Sequence, residues 1–210
     1  MSRVLLNESA APSPPAAGKI ALYASLDADP LLRMVDDAGR NMSLTEISNA
    51  SITSQAISNT TRTYLAGSAI KIPANKLKVG TILRWTFTCT KTGAGVATSV
   101  IDIAFGTLGT TGDTARVSFT KPAGTAVADE AQFIVTAVVR SIGPSGVVVG
   151  NLTMTHNLAA TGHAVIPVVS VTTVSAGFDT TVPTYAGICF TAGASDSLTF
   201  QLVAAECINL

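Results

Sequence analysis

The 210-residue sequence predicts an all-β chain: a jelly-roll-like antiparallel β-sandwich over residues 63–210, preceded by an extended N-terminal arm, residues 1–62, that carries a small β-hairpin. Three observations predict it. Apolar residues recur at every second position in run after run from residue 83 onward, the period of a half-buried strand. Glycine-bearing turns separate these runs at short intervals, as in sandwiches. No long amphipathic helical stretch interrupts them, which argues against an α/β architecture.

The arm opens with Asn7 to Gly18, NESAAPSPPAAG, a small, polar, Pro-rich composition that favours an extended tether. Lys19 to Leu26 and Leu31 to Val35 then form two short apolar runs, separated by Asp27-Ala28-Asp29-Pro30 and closed by Asp36-Asp37-Ala38-Gly39. They read as a hairpin or meander. A piece this small is marginal alone, so it is expected to dock through Leu22, Tyr23, Leu31, Leu32 and Met34. Ser43 to Thr63 holds no clean period; Ser43 and Glu46 fit a capping box, and the stretch is assigned as a linker with at most one helical turn.

In the head, Leu83, Trp85, Phe87 and Cys89 alternate with Arg84, Thr86, Thr88 and Thr90, and Ile101, Ile103 and Phe105 repeat the pattern. In Glu130 to Ser141, Ala131, Phe133, Val135, Ala137 and Val139 fall together, but Ile134 and Val138 fall opposite, so this strand is expected to be covered on both faces. Further strands are expected at 65–72, 115–120, 147–156, 164–174, 185–191 and 197–208. The long loops 91–99 and 106–114 suit Greek-key crossings, which favours a jelly roll.

The chain carries 13 basic and 13 acidic residues, so no long-range field draws nucleic acid or anionic lipid to it. The charges are uneven: residues 1–62 carry eleven, and after Arg140 there is no Lys or Arg and only Asp179, Asp196 and Glu206. A strand-forming segment surfaced by Thr, Ser, Asn and Ala fits packing against copies of itself better than binding a charged partner. The brief VLL run near the N-terminus is too short for a secretory or membrane-spanning segment.

No residue pattern points to catalysis. Cys89, Cys189 and Cys207 lack metal or redox spacing and read as buried small hydrophobes; a Cys189–Cys207 bridge stays open if their strands are neighbours. His156 and His163 lack a third ligand close in sequence and read as turn residues that hydrogen-bond locally. Neither a nucleophile elbow nor a phosphate loop is present. Asp36 and Asp37 beside Gly39 read as a turn, and Asp102 and Asp113 are the carboxylates that would test glycan cleavage. No cofactor and no metal is expected. An adhesive alternative uses aromatic and carboxylate pairs on loops, where Tyr64 with Asn59, and Tyr185 with Asp179, are the candidates.

Several segments carry a resemblance: Tyr64 to Ser68 with IPANKLKVGTILRW, KTGAGVAT, FGTLGTTGDTA, RSIGPSGVVVG, HNLAATGH and SDSLTFQLVAAECINL, together with the arm PAAGKIALYASLDADPLLRMVDDAGR. Between them they cover most of the chain, which resembles structural proteins of tailed-bacteriophage virions, of the capsid-decoration, head-fibre or short tail-fibre type. The resemblance implies a non-enzymatic homotrimer on the virion surface, assembled in the host cytoplasm and anchored to capsid or tail proteins by its arm. Its alternative role is a host-surface glycan-binding module that uses the sandwich loops. The sequence lacks the long shaft of a full tail fibre, so the resemblance implies a short knob or a head-bound decoration.

Overall fold

A computed structural model describes residues 8–10, 12–25, 32–39, 41–43, 47–58, 60–166 and 168–210. Every regular element among them is a strand: β1 (Glu8–Ser9), β2 (Ile20–Ser25), β3 (Leu32–Asp36), β4 (Asn41–Ser43), β5 (Ile47–Ser51), β6 (Gln55–Ile57), β7 (Thr63–Tyr64), β8 (Ile70–Ile72), β9 (Ile82–Lys91), β10 (Ser99–Gly106), β11 (Thr114–Lys121), β12 (Asp129–Ser141), β13 (Val147–His156), β14 (Val168–Val174), β15 (Thr184–Thr191) and β16 (Leu198–Ile208). The chain divides into two compact units, with the second running from Ile47 to Ile208.

The first unit contains a four-stranded sheet in the order β1-β2-β3-β4. Its β2–β3 pairing sets Leu22 opposite Met34 and Ala24 opposite Leu32. Directly paired residues share a face, so Ile20, Leu22, Leu32 and Met34 line one side. Tyr23 and Val35 lie on the other side, where both are buried. Ile20, Leu22 and Leu32 remain exposed.

The second unit is a sandwich of two antiparallel sheets. One has the order β11-β10-β15-β7, with β8 also on β15; the other has the order β14-β13-β12-β9-β16-β5, with β6 also on β16. Alternation decides what each strand buries. Leu83, Trp85, Phe87 and Cys89 of β9 face Phe133 and Val135 of β12 across the ladder, and all are at most 2 % exposed. Phe87 stacks on Phe133 at 5.0 Å, and Phe190 from the opposite sheet meets Phe133 at 6.2 Å and Phe200 at 5.0 Å, edge-on to both. Trp85 donates its indole N–H to the Ser68 carbonyl at 2.8 Å, which satisfies the one polar atom that a buried indole brings. At Gly150 the sheets approach so closely that a Cβ would stand 2.8 Å from Val117 and 2.9 Å from Phe119.

Three expectations change. The segment 47–57, read as a linker, supplies β5 and β6, which pair with β16; it belongs to the sandwich because β16 offers a bare edge and Ile57 is buried there. The boundary therefore falls before Ile47 and not at residue 62. The sheet order also departs from a jelly roll. Loop 91–99 does cross between sheets, but loop 106–114 closes a hairpin of neighbours β10 and β11, and β12, β13 and β14 follow one another within a single sheet. Finally, Ile134 and Val138 are 37 % and 38 % exposed, so among the described residues nothing covers the second face of β12 at these positions.

Candidate functional site

Four places in the described residues gather polar or exposed groups. The first is the outer face of the β10–β15 sheet. Arg62 grips Asp102 with two hydrogen bonds, Nε to Oδ2 at 3.0 Å and an Nη to Oδ1 at 2.6 Å. Its other Nη donates to the carbonyls of Thr111 and Asp113 at 2.7 and 3.0 Å. Asp113 accepts from the amides of Leu108 and Gly109 at 3.0 and 2.7 Å. These groups are committed to holding loop 106–114 on the sheet, so the carboxylates singled out for glycan cleavage are clamps. Burial foremost, with help from neighbouring negative groups, raises the Tyr64 phenol well above its ordinary value.

Tyr64 lies over Gly187, where a Cβ would collide with its hydroxyl, and that hydroxyl makes no hydrogen bond. Tyr185 packs its ring against the Gly109 position. Its suggested partner, Asp179, sits in the β14–β15 connection and lines a hollow of about 350 Å³ with Asp113, Arg116, Phe178 and Thr184. The Asp179 carboxylate accepts from Thr181 Oγ1 at 2.6 Å and from Thr181 N at 2.8 Å. The Thr181 side-chain bond first, then the backbone one, holds its pKa below the usual carboxylate range. Asn59 and Leu31 lie outside the described residues.

The second place is one end of the sandwich, where sequence reasoning found only two turn histidines. Lys91, at the end of β9, is wholly buried; its Nζ donates to the Gly93 carbonyl at 2.5 Å and stands 3.0 Å from Asp196 Oδ1. Both Asp196 oxygens are buried without a hydrogen bond of normal geometry. Lys121, at the end of β11, donates to the carbonyls of Pro122 and His163 at 2.8 and 2.5 Å. Burial pushes its pKa down, with the charge of Lys91 adding to the effect and Asp196 opposing it.

His163 is fully buried and its ring nitrogens have no partner; burial first and then the charge of Lys121 push it down to about 4. His156 bonds Asp129 Oδ2 at 2.6 Å and the Ile166 carbonyl at 2.7 Å. Its carboxylate partner comes from β12 and so is not local, contrary to the turn reading. Asp129 also accepts from His163 N at 3.0 Å and Glu130 N at 2.8 Å. Burial works against ionisation there, but these bonds outweigh it and hold Asp129 below the usual range. Among the described residues no group of three His, Cys, Asp or Glu is placed to hold a metal ion.

All three cysteines are buried and free. Cys189 and Cys207 lie on strands of different sheets, and burial raises their thiols to about 12.

The third place is the outer face of the β12–β13–β14 side of the sandwich. Pairing places Val174 beside Val149, Val149 beside Val138, Val138 beside Ile82, and Ile82 beside Ile208. One apolar row thus crosses five strands on the face away from the core. Val174 is 51 % exposed and Val138 38 %; Val149, Ile82 and Ile208 are half-buried. The next row, Thr172, Asn151, Thr136, Arg84 and Glu206, is polar, and its two charges pair with each other at 2.9 Å. Two open hollows of about 560 and 570 Å³ lie on this face, lined mainly by Thr, Gln and Ala with Glu130 at one end and the Arg84–Glu206 pair at the other.

The fourth place is the exposed apolar side of the β2–β3 hairpin. It unites Leu22, Leu32 and Met34 of the expected docking set with Ile20, which sequence reasoning had not singled out, and leaves Tyr23 on the opposite side.

No family model matches the chain, and no curated protein is similar to it.

Proposed function

We propose that this chain is a non-enzymatic structural protein of a tailed-phage virion: a surface-exposed homotrimer, anchored to capsid or tail proteins by its N-terminal arm. One observation carries the self-associating part of the reading. The outer row Val174, Val149, Val138, Ile82 and Ile208 runs in register across a face that is neutral overall, with Arg84 paired to Glu206 and with Glu130 and Arg140 towards opposite ends of β12. A neutral, partly apolar sheet face is best satisfied by an equally neutral surface, and a second copy of this chain supplies one in its charge-poor C-terminal third. The apolar side of the hairpin, with Ile20 60 % and Leu22 50 % exposed, supports docking of the arm onto a larger assembly. The virion setting rests on the sequence resemblance.

Sedimentation equilibrium of the full chain, beside Val138→Lys, tests the association. A stable trimer that Val138→Lys dissociates into folded monomers is expected. A wild-type monomer at micromolar concentration refutes it.

The hollow beside Asp179 supports a second reading, a glycan-binding loop site, because its floor holds Phe105 stacked on Phe178 at 4.2 Å. Both rings are almost fully buried, which leaves little aromatic surface for a sugar and places this reading behind the first. Binding of host-surface polysaccharide that Asp179→Ala abolishes would reverse that order.

A further inference from the structure

We propose that Lys91 and Asp196 become joined by an intramolecular amide bond between the lysine Nζ and the aspartate Cγ. The two groups are held in contact, 3.0 Å from Nζ to Oδ1, with side-chain exposures of 0 % and 1 %. They come from positions that the fold fixes independently. Lys91 closes β9 opposite Leu198 in the β9–β16 ladder, and Asp196 sits in the tight connection just before β16, where its amide donates to the Gly193 carbonyl at 3.1 Å.

A buried ion pair recovers its desolvation cost only when hydrogen bonds satisfy the remaining lone pairs. This carboxylate has none of normal geometry on either oxygen. Lys121, a second cation in the same dry region, attracts the carboxylate without hydrogen-bonding it. An amide between Lys91 and Asp196 carries no charge and leaves Lys121 with its two carbonyl partners.

The reaction is a condensation without redox change. Proton transfer from Lys91 Nζ to the Asp196 carboxylate gives the neutral amine that can attack and the acid that can lose water. Lys91 Nζ then adds to Asp196 Cγ. A C–N bond forms, one Cγ–O bond breaks, and that oxygen departs as water with two of the three ammonium protons, the third remaining on the amide nitrogen. Contact geometry supplies the proximity that such an addition requires. Lys121 holds its ammonium on Pro122 and His163, and its charge in the same dry region favours the oxyanion that develops as nitrogen adds. Once water has left, burial also protects the amide from hydrolysis.

Mass spectrometry of the purified full chain, denatured after storage in the folded state, tests this directly. The expected intact mass is one water below that of the sequence. Trypsin is expected to fail after Lys91. With no Lys or Arg beyond Arg140, the digest should contain a branched peptide joining residues 85–116 to residues 141–210. Asp196→Ala should restore both the full mass and cleavage after Lys91. The proposal is overturned by a wild-type mass equal to that of the sequence. It is equally overturned by a one-water loss confined to residues 141–210, the mark of an imide at Asp196-Ser197.

Discussion

Replacing His163 with Leu should stabilise the sandwich in acid and leave it nearly unchanged at neutral pH. The wild-type imidazole is fully buried with neither nitrogen paired, and it titrates at about 4 in the folded chain against an ordinary 6.5. Between those values the unfolded chain binds a proton that the folded chain does not, so stability falls as pH drops from 6.5. The loss is complete near pH 4. At about 1.4 kcal/mol per pH decade, this one ring withdraws about 3 kcal/mol. Leu is close to His in volume and removes two unsatisfied polar atoms, so its packing cost should stay below about 1.5 kcal/mol. Asp129, held below the usual carboxylate range, acts in a lower window: its contribution is present above the unfolded carboxylate pKa and lost as pH falls through its folded value. Urea unfolding at a series of pH values from 4 to 7 measures the difference. If His163→Leu keeps the wild-type slope across that range, the ring is not the buried neutral group described.

Gly150→Ala should cost about 1–3 kcal/mol by overpacking, because the added methyl meets Val117 and Phe119 across the sandwich; thermal denaturation reads it. Arg62→Ala should destabilise by about 2–3 kcal/mol and free loop 106–114, since it strands the nearly buried Asp102 carboxylate. Amide exchange would show faster opening at Leu108 and Gly109, and unchanged protection there would refute the clamp. Cys89, Cys189 and Cys207 should resist an exposed-thiol reagent in the folded chain and all react in urea, because burial raises each thiol.

The strands of the head were legible because they bury one face and show the other, so period two survives in the sequence. Trp85, Phe87 and Phe133 announced themselves this way. β5 and β6 did not, since edge strands this short bury little: β5 has no buried residue, and Ile57 is the one buried residue of β6. Topology was illegible for a different reason. A loop such as 106–114 has the same composition whether it closes a hairpin or crosses between sheets, and long-range pairing alone decides. The buried lysines were hidden because Lys91 and Lys121 end their strands on inward positions, which ordinary expectation gives to apolar residues. Only their alternation with Thr90 and Thr120 marked them as facing inward.

The placement of β16 bears on how the molecule is made. It lies between β9 and β5 in the larger sheet and also pairs with β6, so three earlier strands wait for one made last among the sandwich strands. Cys207 must find Ile47 across 160 residues of chain, and that loop has to close before its contacts reward it. On the ribosome, β5, β6 and β9 emerge with unpaired edges and stay so until β16 has cleared the exit tunnel. The second unit should therefore complete its folding only once β16 has emerged, slowly and in one cooperative step, and be most vulnerable to aggregation in that interval.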